Sequence, residues 1–138
     1  MAADYANDFY GWATDTAAKI RAGRLSEIDL EHVAEEIDSL GKSEQLQLSN
    51  RLAILLAHML KWEFQPSQRK PGWQATMKEQ RIRIRRLIER NPSLKPFIEE
   101  TIEESYPIAV AFAASETNIV DEDFPRTCPY TIDEVLNG

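Results

Sequence analysis

Apolar side chains recur along this chain at intervals of three and four residues, and no stretch alternates convincingly with period two. Tyr5, Phe9, Trp12, Ala13, Thr16, Ala17 and Ile20 share one face at helical spacing and predict a first amphipathic helix. Gly23, following Lys19 and Arg21, supplies a stop, because glycine enters the left-handed conformation cheaply. Ser26 or Asp29 is placed to cap the next helix, in which Leu30, Val33, Ile37 and Leu40 follow one another at alternating steps of three and four. Gly41 then interrupts, with Ser43 as a fresh cap, so the pattern predicts a kink or two helices in near line. It resumes through Leu48, Leu52, Leu55, Leu56, Met59, Leu60 and Trp62 and stops at Pro66, after which "QPSQRKPGW" reads as a connection.

A third helix is predicted over Trp73 to Arg90, with Trp73, Met77, Ile84, Leu87 and Ile88 on one side. "NPSLKP" is a turn in which Asn91 is placed to cap a fourth helix with Pro92 at its first position. Phe97, Ile98, Thr101, Ile102, Tyr106, Ala109, Val110 and Ala113 carry that helix, and Pro107 predicts a bend near Ser105. "VDEDFPRTCPY" has no period. Thr131 and Glu134 stand at capping-box spacing and predict a short final helix over Ile132 to Leu136. The expected fold is all-α: a single-domain bundle over residues 1–138, with four to five main helices plus a short C-terminal one.

Composition changes this picture little but excludes several functions. Apolar residues make up 43% and charged residues 28% of the 138, as in ordinary globular proteins. The longest apolar run is Leu52 to Ala57, far short of a membrane span, and the first ten residues lack the basic and apolar regions of an export signal. A cytoplasmic protein without a membrane partner is expected. The single cysteine, Cys128, precludes an internal disulfide and has no neighbouring histidine or lysine to activate it. A net charge of −7 argues against a surface devoted to nucleic acid.

Candidate chemistry centres on "HMLKWEFQP", residues 58 to 66. Glu44, Arg51, His58 and Gln65 are spaced by seven and line one edge of a continuous helix, beside the apolar stripe. His58 with a carboxylate from Glu35, Glu36 or Glu44 has the elements of a general acid–base pair, with Arg51 a further candidate on the same seam. The same residues would equally satisfy one another where helices cross, and no nucleophile or oxyanion hole accompanies them. The segment is therefore read as mainly structural. In that reading Trp62 packs inward, His58 is half-buried and bonded to neighbouring helices, Lys61 and Glu63 face outward, and Gln65 marks the helix end. Two histidines and one cysteine are too few for a self-sufficient metal centre; a site on His58 would need several carboxylates, so no metal and no cofactor are expected.

The segment "KEQRIRIRRLIER", residues 78–90, splits its cations between two flanks and mixes in Glu79 and Glu89, without aromatics for base stacking. A nucleic-acid partner is the third reading, behind a protein partner or self-association and then an enzyme. "SLGKSE" lacks the strand and first glycine of a phosphate loop.

Six segments in order, "DFYGWATDTAAKIRAGR", "AEEIDSLGKSE", "RLAILLAHMLKWEFQP", "WQATMKEQRIRI", "NPSL" and "FPRTCPYTIDEVL", together resemble the bacterial domain-of-unknown-function family 29 over nearly the whole chain. The resemblance implies a helical single-domain bacterial protein and carries no catalytic or binding residues with it. Where the family pattern commonly shows Asn-Leu before Ala-Glu-Glu-Ile, this chain has His32-Val33, which argues against an essential role for His32.

Overall fold

Asp4 and Asp8 organise the start of the chain. The Asp4 carboxylate accepts from the Ala6 amide and its carbonyl from the Asp8 amide. Asp8 in turn accepts from the Gly11 amide at 3.0 Å and caps α1 (Phe9–Arg21), which starts four residues later than the apolar period alone suggests. Gly23, at φ +75°, ends it as expected. The structure, a computed structural model, describes residues 3–138.

Asp29 is the residue that caps α2 (Leu30–Phe64): its carbonyl takes the Val33 amide and its carboxylate the His32 amide. The helix then runs through Gly41 without interruption. One exposed glycine costs a helix interior only about 1 kcal/mol relative to alanine, less than the propagation of 35 residues supplies. After a 3₁₀ turn at Pro66–Gln68, α3 (Pro71–Arg90) begins with proline at its first position, where a missing amide hydrogen is harmless. Asn91 does not cap the next helix. Its side-chain amide turns back to the Leu87 carbonyl at 2.9 Å, and a 3₁₀ segment, Pro92–Phe97, leads into α4 (Ile98–Thr117). That helix continues through Pro107, which leaves the Glu103 carbonyl without its amide donor. The capping box forms with both of its bonds at 3.1 Å and opens α5 (Ile132–Asn137). Among the described residues 80% are helical and none is in a strand, so the fold is all-α.

The chain divides into two compact units, Met1–Lys42 and Ser43–Gly138. In the second, Leu52, Leu55, Leu56 and Leu60 of α2 are wholly buried and meet Ile84 and Leu87 of α3, Ile102 and Ala109 of α4, Phe124, and Val135 of α5. Cross-helix bonds fix the directions. Glu44 accepts from Asn91 and Arg51 donates to Gln80, so α2 and α3 run antiparallel; Ser49 meets Ser105 and Lys61 meets Glu116, so α2 and α4 run parallel. Ala53 and Ala57 of α2 and Ala109 and Ala113 of α4 are all buried. The first unit has no comparable core: Thr16 is its one buried residue among those described. Its interior is an edge-packed aromatic group in which Tyr5 lies 4.8 Å from Trp12 and stacks on His32 at 4.0 Å.

Candidate functional site

The heptad-spaced seam of α2 is drawn into cross-helix bonds. Glu44 accepts from Arg90 at 3.4 Å and from Asn91 at 3.1 Å. Arg51 reaches Gln47 and the buried Gln80, each at 3.4 Å, which gives the glutamine among the apolar residues of α3 its partner. Glu44 and His58 stand fourteen residues apart on one helix, about 21 Å along its axis, so they do not form an acid–base pair. Glu35 and Glu36 belong to the first unit, where both accept from the Tyr5 hydroxyl. The structure thus gives His58 none of its three candidate carboxylates.

What it gives His58 instead was not anticipated. Lys61, expected to face outward, is only 2% exposed. Its ammonium pairs with Glu116 of α4, lies 5.1 Å from the centre of the Trp73 ring, and stands 3.4 Å from His58 Nε2. His58 Nδ1 lies 2.8 Å from the Ile54 carbonyl, which can only accept; Nδ1 therefore carries the hydrogen, and Nε2 accepts from Lys61. The resulting chain runs from the Ile54 carbonyl through a neutral imidazole and an ammonium to a surface carboxylate. Burial, and then the Lys61 charge, lower the His58 pKa, while the Lys61 hydrogen bond holds the Glu116 carboxyl below its ordinary value. Sequence reasoning missed this because helical spacing alone puts Lys61 outside the apolar arc; the partner that allows its burial lies 55 residues away. His58 is half-buried as expected, but its bonds go to its own helix, not to neighbouring ones.

The segment ends as expected, with α2 stopping at Phe64 and Gln65 following it. Trp62 is half-buried beside the core and Glu63 is exposed, but the Gln65 amide oxygen is enclosed without a protein donor. Arg69 serves the helix end instead, donating to the Trp62 carbonyl at 2.8 Å with its guanidinium 4.4 Å from the centre of the Trp62 ring. The His58 chain links interior to surface, and none of three clefts in the second unit is lined by His58, Arg51 or Glu44.

A second constellation lies in the first unit. His32 Nδ1 is 2.5 Å from the Asp29 carboxylate, which also caps α2, and Tyr5 stacks on the imidazole while donating to Glu36. That donation, ahead of other causes, pushes the Tyr5 phenol up to about 12, and His32 holds the Asp29 carboxyl below its ordinary value. Only the three-residue spacing of Asp29 and His32 signalled this arrangement in the sequence. Tyr5 sits 27 residues before His32 and was counted as an apolar face residue.

Among the described residues, no three histidine, cysteine, aspartate or glutamate side chains are grouped to hold a metal ion. Burial raises the Cys128 thiol pKa and so disfavours the reactive thiolate. The cations of α3 are dispersed: Arg83 pairs with Glu79, Arg90 with Glu44, and Arg81 holds the Glu134 and Val135 carbonyls. No helix of the described residues is long and apolar enough to cross a membrane.

Compared with known families, residues 5–138 match the family described as Domain of unknown function DUF29. No curated protein and no solved structure matches the chain.

Proposed function

For this chain, which belongs to the family Domain of unknown function DUF29, we propose the role of a helical interaction module whose first unit docks a basic amphipathic helix of a partner protein. The observation that carries the reading is the apolar surface of that unit. Leu30, Ile37 and Leu40 of α2 are each more than 60% exposed, with Phe9, Tyr10, Ile20 and Leu25 also bare nearby in the chain. Leu30, Val33, Ile37 and Leu40 have the spacing by which one helix receives another. Monomeric proteins rarely leave such surface in water without a use for it.

Charge selects the occupant. Within Met1–Lys42, nine carboxylates stand against four lysines and arginines, a net of −5 out of the whole chain's −7. Glu36 borders the apolar stripe of α2, and Glu31, Glu35 and Asp38 stand on its other faces. A second copy would bring the same net negative charge against itself, whereas lysines and arginines bordering a row of leucines would meet opposite charge. The exposed rings of Phe9 and Tyr10 add faces on which such cations gain.

A labelled eighteen-residue helix of leucines and lysines at heptad spacing, titrated against the full chain, tests this. Saturable one-to-one binding in the micromolar range is expected, with at least tenfold weakening in the Leu30→Glu/Ile37→Glu variant. Charge attraction alone would tighten in that variant, so weakening reports apolar docking. Equal binding of a leucine–glutamate helix of the same pattern, or a stable homodimer covering this face in solution, would overturn the assignment.

A further inference from the structure

In the second unit, three elements leave a cleft of about 740 Å³. Met59 and Trp62 of α2 form one wall, Met77, Lys78 and Arg81 of α3 the opposite one, and Tyr130 closes it from the C-terminal segment. The volume lies within the range of small-molecule sites, roughly 300–1,000 Å³. Its lining includes the Trp62 indole and the Met59 and Met77 thioethers, which adapt their shape to aromatic or aliphatic ligands.

The walls are held in place independently of any ligand. Tyr130 donates to Glu63 at 2.5 Å, and Arg81 donates to the Val135 carbonyl at 2.9 Å and the Glu134 carbonyl at 3.2 Å. Val135 itself is fully buried. The closing segment is therefore tied to both helices, and the cleft between them is preformed.

Polar capacity in the cleft is unevenly used. Its two side-chain carboxylates are each hydrogen-bonded within the chain: Glu63 accepts from Tyr130, and Glu134 accepts the Thr131 amide in the capping box. Lys78 has no ion pair among the described residues. Arg81 spends Nε and Nη2 on carbonyls, and its Nη1 makes no hydrogen bond among the described residues. The unspent donors are cationic and sit at the edge of an apolar, aromatic floor.

We infer that this cleft is a binding site for a small amphipathic carboxylate, its ring or chain against Trp62, Met59 and Met77 and its acid group at Lys78 and Arg81. The site is separate from the docking face of the first unit, and neither reading depends on the other.

Two probes with the same ring and opposite charge decide the matter: indole-3-acetate and tryptamine, each titrated into the ¹⁵N-labelled full chain. Indole-3-acetate is expected to move the amides of Trp62, Gln74, Lys78 and Tyr130 in a saturable way. Tryptamine should bind at least fivefold more weakly. Lys78→Glu, an exposed change, should weaken the acid at least tenfold, and Ala75→Phe, which fills the cleft without altering charge, should abolish its binding. Arg83→Glu, on an exposed part of α3 outside the cleft, should leave it unchanged. Absence of saturable shifts with either probe, tryptamine binding as tight as the acid, or equal weakening by Arg83→Glu and Lys78→Glu would each overturn the assignment.

Discussion

One helix, α2, supplies a well-covered segment and a bare one. From Leu52 to Leu60 its leucines are wholly buried among α3, α4 and the C-terminal segment, whereas Leu30, Ile37 and Leu40 stand mostly in water. Apolar spacing is helical in both stretches, and both form helix. The difference teaches that periodicity states which face wants cover, not whether the chain provides it. Where three further elements return to the helix, the face becomes core; where only α1 and a short turn accompany it, the face becomes surface available to a partner.

Truncating one leucine in each stretch gives the sharpest contrast. Leu60→Ala should destabilise by roughly 3–4 kcal/mol, the cost of a cavity among large neighbours. Leu40→Ala should cost less than about 0.5 kcal/mol, because its side chain already lies largely in water. Paired chemical-denaturation curves measure both. Similar losses at the two positions would mean that the first unit is as tightly covered as the second.

A smaller effect separates the polar parts of the same helix. Lys61→Ala should cost about 1–3 kcal/mol, since it strips the packed stem from Trp73 and leaves His58 Nε2 without its donor. Lys42→Ala, at an exposed position, should be silent within about 0.5 kcal/mol. A neutral Lys61→Ala variant in the same denaturation assay would return Lys61 to the surface and remove the special status of the second unit's polar chain.

The smallest effect is a pH dependence confined to that chain. His58 titrates below its ordinary value in the folded state, so the unfolded chain takes up the proton first as pH falls. The stability conferred by the neutral imidazole is therefore whole above about pH 6.5 and is lost as pH drops through that value toward the lower folded pKa. Lys61 and Glu116 face the imidazole; the cation reinforces the loss and the carboxylate moderates it. Melting temperatures between pH 7.5 and 5.5 should fall more for the wild type than for His58→Gln, which cannot take up that proton. Parallel curves for the two proteins would show that His58 contributes no pH dependence.

The reading of HMLKWEFQP shows how much of a site a sequence exposes. Trp62 beside the core, His58 half-buried and Glu63 in water follow from angle around one helix, and the structure agrees with each. Lys61 does not follow, because its surroundings come from other elements, Glu116 and Trp73. Arg51 and Glu44 were legible as polar residues at a boundary, but the partners of Glu44, Arg90 and Asn91, were not. The aromatic and acidic group around Tyr5 and His32 stayed hidden because a tyrosine on an apolar face carries no mark of the carboxylate it will meet.

The sequence by itself determined the helices, most of their ends and the all-α class, since caps, prolines and apolar period act over a few residues at a time. Membership of the DUF29 family was likewise legible in its ordered segments. Tertiary structure alone decided that a lysine is buried and that Leu30, Ile37 and Leu40 stay bare. Those outcomes depend on which groups from distant parts of the chain arrive beside each residue. Burial and charge pairing are properties of that meeting, not of the residue.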